Sequence, residues 1–317
     1  MTVEVSIIIP TQRRLRGLLT AARSVFVQDG VDPKTLELVI VDNDQTPSAS
    51  KTAQAIAREA PYPVRYVHEP APGVANARNT GLTAARGALI AFLDDDEEAQ
   101  AHWLKALIDT RERFAADVVF GPVRARADWD KVGHRDYFER FFSRFGPAES
   151  GLLDHYHGCG DSLVRRAALP DWNRPFSAIR NHIGGEDDLL FGAMQQAGAR
   201  FAWAADAWVW EDPAPERLTL RYTALRAFAF GQGATAHDAA TGDRLGVARW
   251  MIMGVAQAAA FGLAAGVKWL IRSKSFAFSL DRAARGLGKT FWWNPFKVHF
   301  YGLTPPASAP AAAGVAS

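Results

Sequence analysis

Five consecutive carboxylates, Asp94-Asp95-Asp96-Glu97-Glu98, follow directly on the apolar run Ala88-Leu89-Ile90-Ala91-Phe92-Leu93. Side chains crowded in this way raise one another's pKa unless a cation neutralises them, and a divalent metal is the simplest such cation. A second acid group, Glu186-Asp187-Asp188, lies much further along the chain. A carboxylate run alone is usually a solvated loop. Here the six apolar residues in front read as a buried strand, which places the acids where that strand emerges. Asp94, Asp95 and Asp96 are the site candidates. Glu97 and Glu98 are expected to open the next helix, where negative charge is favourable without a metal.

The apolar pattern supplies the elements that hold these acids. Runs of β type recur at 5–9, 36–41, 64–67, 88–93 and 118–123, separated by stretches of helical length such as 13–28 and 52–59. That alternation defines an α/β chain with a largely parallel sheet. Ligands of such sheets bind beyond the carboxyl ends of the strands. The candidates are therefore Pro10, Thr11 and Arg13 after the first strand, and Asp42 and Asp44 after the second. Gly73 to Arg86, with Arg78 and Asn79, reads as a helix and turn leading into the acid run. Taken alone, Asp42 is equally a turn former and Arg78 an exposed helix residue. Neither G-x-G-x-x-G after the first strand nor G-x-x-x-x-G-K-[ST] is present, which argues against NAD, FAD and P-loop sites. Acids and arginines at strand ends suit instead a nucleotide held through its base, ribose and metal-bridged phosphates.

Six motifs then fall in the order and spacing of one family: S-I-I-I-P-T at 6–11, V-D-N-D at 41–44, A-N-A-R-N-T-G at 75–81, F-L-D-D-D at 92–96, G-C-G-D-S-L-V-R-R at 158–166 and G-G-E-D-D-L-L at 184–190. Over residues 3–233 the chain resembles the family 2 glycosyltransferases. The resemblance implies a GT-A fold, Rossmann-like with a mostly parallel central sheet. It implies that Asp42 binds the nucleobase, with Pro10 and Thr11 beside it, and that Arg78 faces the nucleotide. It implies that Asp94, Asp95 and Asp96 cover the D-x-D motif, whose acids bind the ribose and the Mg²⁺ or Mn²⁺ bridging the diphosphate. Asp187, in the pair Glu186-Asp187, matches the base that deprotonates the acceptor hydroxyl.

Sugar transfer needs the same parts. A departing diphosphate is stabilised by a hard cation on oxygen ligands, and the acceptor's proton needs a carboxylate to receive it. Acid on the face opposite the leaving group suggests direct displacement with inversion. A two-metal phosphoesterase would interleave histidines with the acids, and none stand there. A non-catalytic nucleotide- or membrane-binding protein that keeps the fold is the alternative, but it has no need of a base.

His155-x-His157-x-Cys159 offers two imidazoles and a thiolate on one face of a strand, but no fourth ligand accompanies them. A lining for the sugar pocket is the preferred expectation. Asp161 stands where relatives often have Asn. Many relatives also carry a metal-binding histidine in the segment matching 207–212, where this chain has Glu211, an oxygen donor that suits the same cation. Trp203 and Trp208 are expected to pack in the core, and Trp210 is a candidate to stack on a sugar.

The chain of 317 residues is 48% hydrophobic, enough for a full core. Its single cysteine excludes an internal disulfide framework and fits a reducing compartment. The N-terminus reads as a strand rather than a signal peptide. The net charge of +2 conceals a division: residues 244–297 hold nine Lys or Arg against Asp281, leaving the remainder with more acids than bases. Residues 250–267 contain only Gln257 as a polar side chain, which meets the length of a weak membrane span. Crossing would export the basic stretch that follows, so an in-plane or re-entrant helix is expected. The aromatics and cations of 275–296 suit an anionic headgroup region, whereas no nucleic-acid-binding fold is evident. A soluble helical pair packed on the body is the plainer alternative.

These readings divide the chain into a catalytic domain (1–233), a basic, aromatic, membrane-associating helical region (234–304) and a disordered Ala/Pro-rich tail (305–317). The expected enzyme is an inverting hexosyltransferase that uses a UDP-sugar. By analogy with succinoglycan-type exopolysaccharide enzymes, it would serve a polyprenyl-diphosphate-linked saccharide at the cytoplasmic face of a bacterial inner membrane, as a peripheral or monotopic protein.

Overall fold

The computed structural model describes residues 2–172, 174–178 and 185–298. Its elements in chain order begin with β1 (Val5–Thr11), α1 (Leu15–Phe26), β2 (Leu36–Asp42), α2 (Ser50–Glu59), β3 (Val64–His68), α3 (Val74–Ala84) and β4 (Leu89–Phe92). There follow β5 (Glu97–Ala99), α4 (Trp103–Phe114), β6 (Val118–Phe120), β7 (Val123–Ala125), α5 (Arg135–Phe142), β8 (Gly151–Leu153) and β9 (Ser162–Arg165). The last are α6 (Glu186–Gln196), β10 (Phe201–Trp203), β11 (Val209–Glu211), α7 (Leu220–Thr241), α8 (Arg244–Leu270) and α9 (Phe276–Thr290).

The main sheet has the order β3-β2-β1-β4-β9-β6-β10-β8. β1 to β4, β6 and β10 run one way, and β9 and β8 oppose them. The sheet is thus mixed though mostly parallel. The antiparallel β9 wedged between β4 and β6 is what the apolar pattern did not announce. Alternate residues of β1 supply two cores: Ile7 and Ile9 pack with Leu18, Trp103 and Leu107 on one face, while Ile8 packs with Leu82, Phe92 and Phe191 on the other. Burial on both faces is why these strands read as unbroken apolar runs.

Glu97 and Glu98 do not open a helix. They form β5 in a small second sheet, β5-β11-β7, where Glu211 lies opposite Glu97, and the helix starts only at Trp103. Ladder pairing outweighs the helix-dipole preference here. The expected run 118–123 likewise divides, β6 joining the large sheet and β7 the small one.

α7, α8 and α9 pack together, and α7 is continuous across residue 233, so the expected division falls inside a helix. The helices meet through glycines. A Cβ at Gly286 would strike Ala258 N and Gly254 O of α8, and one at Gly288 would overlap the Phe228 carbonyl of α7. Tyr137 and Phe138 of α5 close a third core against Ala277 of α9, joining the helices to the body. Residues 299–317, including the expected tail, lie outside the described residues.

Candidate active site

The parallel strands deliver their loops to one edge. β1 and β2 are in register so that Thr11 lies beside Asp42, and Leu93 N–H bonds Ile8 O, so the acid run leaves β4 next to Pro10 and Thr11. Thr11 Oγ1 donates to Asp95 Oδ2 at 2.7 Å. Arg14 Nη1 donates to Asp95 Oδ1 at 3.0 Å and to Asp96 Oδ2 at 2.5 Å, and Arg217 reaches Asp96 Oδ2 at 3.4 Å. Asp94 is the open member of the run, its side chain 36% exposed.

The second acid group arrives on the first turn of α6, where Glu186, Asp187 and Asp188 complement the helix dipole. Asp187 Oδ1 accepts from Asp188 N–H at 3.0 Å and Oδ2 from Cys159 N–H at 3.1 Å. Arg78, buried on α3, joins the two groups: Nη1 donates to Glu186 Oε1 at 2.5 Å, and Nη2 lies 3.6 Å from Asp94 Oδ1. Asn79 clamps the segment behind it, exchanging two hydrogen bonds with the Phe176 backbone. The loop Gly158-Cys159-Gly160 passes between the acids. A Cβ at Gly160 would come within 2.7 Å of Asp94 Oδ2 and 3.1 Å of Glu97 Oε1, so a larger residue would require those carboxylates or the loop to shift.

Several expected residues have other occupations. Asp42, expected at a nucleobase, is wholly buried and accepts from Ala49 N–H, Ser48 Oγ and Tyr66 OH, which shapes the loop after β2. Arg13 and Asp44, expected at the nucleotide, form a two-pronged ion pair with each other at 2.8 Å, which holds the Asp44 carboxyl below its usual range. Glu186 is bound to Arg78 rather than open to an acceptor. In the segment expected to line the sugar pocket, the Cys159 thiol is buried and the His157 imidazole packs against Phe120 and Trp203. Residues 155–159 are not a strand either. Trp203 is core as expected, but Trp208 is only half-buried beneath Arg124, and Trp210 stacks edge-on to Trp208 under Arg126.

Although partly open to solvent, the Asp94 carboxyl is surrounded by protein, and this desolvation raises it above its ordinary range, opposed by Arg78 and helped by Asp96 and Asp187. Asp95 is pushed up to about 6 by burial, against the pull of Arg14. Glu211 is pushed up to about 8 by burial and then by Asp96 and Asp94. Glu97 is also raised well above its ordinary range, by burial and by Asp94 and Asp161. Asp161 itself, in a left-handed conformation that Asp and Asn tolerate, accepts from Trp103 Nε1 at 2.7 Å and is raised by burial to about 7.

An excess of oxygen donors and negative charge is the donor chemistry of a hard divalent cation, and Asp94, Asp96 and Glu211 fit it. Yet among the described residues no three acid, His or Cys side chains already converge to hold a metal. Arg14 and Arg217 hold Asp96 instead. These two arginines, together with Arg144, Trp103 and Gly160, are site residues that were not singled out from sequence. Gly160 and Arg14 sat inside or beside recognised motifs; Arg144 had no motif to mark it.

A mostly parallel sheet with acids gathered at its carboxyl edge is the layout of a GT-A glycosyltransferase. Residues 6–172 match the sequence profile of Glycosyl transferase family 2, and the chain belongs to that family. It is 33% identical over 237 residues to the succinoglycan biosynthesis protein ExoM of Rhizobium meliloti, covering 73% of this chain and 74% of ExoM. An uncharacterized glycosyltransferase of Nostoc sp. is 30% identical over 117 residues, covering 37% and 35% of the two chains. Among solved structures, S. aureus TarS 1-349 in complex with UDP-GlcNAc superposes with a TM-score of 0.51 at 18% identity, covering 72% of this chain and 66% of TarS 1-349.

Proposed function

We propose that this glycosyltransferase transfers a hexose, with inversion, from a UDP-sugar to a lipid-linked saccharide in bacterial exopolysaccharide synthesis. The observation that carries the reading is that one glycine loop touches both Asp187 and Asp94, while Arg78 bridges Asp94 and Glu186, the neighbour of Asp187. ExoM's part in succinoglycan biosynthesis and the UDP-GlcNAc bound by TarS support the acceptor and donor classes.

Asp187 is half-exposed and fixed by two backbone donors, so its carboxylate is held in one orientation. Its carboxylate takes the acceptor's hydroxyl proton while that oxygen bonds to the anomeric carbon. The bond to the diphosphate oxygen breaks on the far side, and its electron pair leaves with the diphosphate. Glu186 keeps Arg78 aimed at the cleft. Arg78 Nε is buried without a partner among the described residues. Mg²⁺ or Mn²⁺, when bound by Asp94, Asp96 and Glu211, would neutralise the leaving charge.

The membrane side of the proposal rests on α8. Its one polar residue between 250 and 267, Gln257, is spent on α9, donating to Arg282 O and accepting from Lys289 Nζ. Ile252 is 71% and Leu263 74% exposed, and only 11% of the apolar window is buried. An apolar face of this kind suits the boundary of an anionic bilayer, at the cytoplasmic face of the inner membrane.

A thermal-shift and hydrolysis screen across UDP-, GDP- and dTDP-sugars with Mg²⁺ or Mn²⁺ tests the enzyme reading. A UDP-sugar should stabilise the fold, and Asp187→Asn should bind it equally while turnover falls about 10²- to 10⁴-fold. A wild type that turns over no donor with metal and lipid-linked acceptor would refute it.

A further inference from the structure

We propose that Arg144 is a positioning residue that fixes the spacing between Asp187 and Asp94 by holding the Gly158-Cys159-Gly160 loop. The claim rests on the catalytic reading of those two acids. Arg144 follows α5 and is pinned to Val123 by paired backbone bonds of 2.8 and 3.1 Å. Its side chain, only 16% exposed, donates Nε to Gly121 O at 2.8 Å and Nη1 to Gly158 O at 2.9 Å. Nη2 donates to Gly160 O at 2.8 Å and to Asp161 O at 2.9 Å. One planar cation therefore gathers four main-chain carbonyls, one from the end of β6 and three from the loop and the residue after it.

The loop so held is the partition between the acids. On one side Cys159 N–H bonds Asp187, and on the other Gly160 lies against Asp94 and Glu97. Ser162 Oγ closes the turn on Cys159 O, and Gly121 N–H bonds Asp161 O. No bond from Arg144 goes to Asp187 or Asp94, so its effect on the reaction passes through the loop. A lysine can carry the charge but cannot span four carbonyls with a fixed fork.

Cys159, the chain's single cysteine, is buried in this loop and reports its position without any turnover assay. The test measures Cys159 modification by 5,5′-dithiobis(2-nitrobenzoate) in the full chain, with a thermal melt alongside. Arg144→Ala and Arg144→Lys should both label at least about tenfold faster than wild type while still melting cooperatively. With UDP-sugar hydrolysis as the second measure, both should lose about 100-fold in kcat, with KM changed by less than about threefold. Gly160→Ala leaves Arg144 in place and sets a Cβ 2.7 Å from Asp94 Oδ2, which displaces that carboxylate or the loop, so it should reproduce the kcat loss; it keeps the loop's part open to refutation if the Arg144 variants do not fold. Unchanged labelling in Arg144→Ala, full recovery by lysine, or full activity in Gly160→Ala overturns the proposal. A wild type without turnover would sink the catalytic reading instead, and the labelling rates then decide whether Arg144 holds the loop.

Discussion

Asp161 shows how a buried acid can serve structure and still leave a mark on solution behaviour. Its carboxyl is raised from 3.8 to about 7 by burial, so between those values the folded chain keeps a proton that the unfolded chain has released. The stability it contributes is complete below the lower value and is lost as pH rises through the upper one. Asp161→Asn cannot ionise, tolerates the left-handed backbone and can still accept from Trp103. Denaturation midpoints measured at about pH 5 and about pH 8 should therefore fall more for wild type than for the variant. Parallel curves would show that Asp161 does not carry the dependence. The acid run and Asp187 could be singled out from sequence because an apolar strand or a motif stood beside them. Arg14 and Arg144 could not, since what defines them is carbonyls and carboxylates brought close only by folding.

The alternation of β and α was legible in β1 to β4 because strands buried on both faces leave long apolar runs. The three-residue strands β5, β7 and β11 were not, because pairing with distant partners makes them and no local pattern does. The three C-terminal helices pose the same problem in another form: their close contacts depend on which glycines face a neighbour. Gly288 of α9 abuts the Phe228 carbonyl, whereas Gly233 of α7 has open space around its Cβ position. Gly288→Ala should destabilise the full chain by about 1–3 kcal/mol. Gly233→Ala, which gains only helix propensity, should stabilise it by about 0.5–1 kcal/mol. Urea denaturation checks both, and equal effects would refute the packing argument.

At the scale of the molecule, α8 offers an exposed apolar surface with no charged side chain between 250 and 267. Flotation with vesicles containing an anionic lipid should retain wild type and lose the double variant Ile252→Asp, Leu263→Asp, with both proteins equally folded. Equal flotation would remove α8 from the membrane account. The basic residues beyond 244 are gathered in α8, α9 and the segments next to them, while the body carries more acids than bases. Such a chain is an electric dipole. Near a negatively charged surface it is turned before it touches, its helices drawn in and its acidic body held off, over a range of about one Debye length, roughly 8–10 Å. Arrival is thereby oriented, and little of the encounter is spent searching for the correct face.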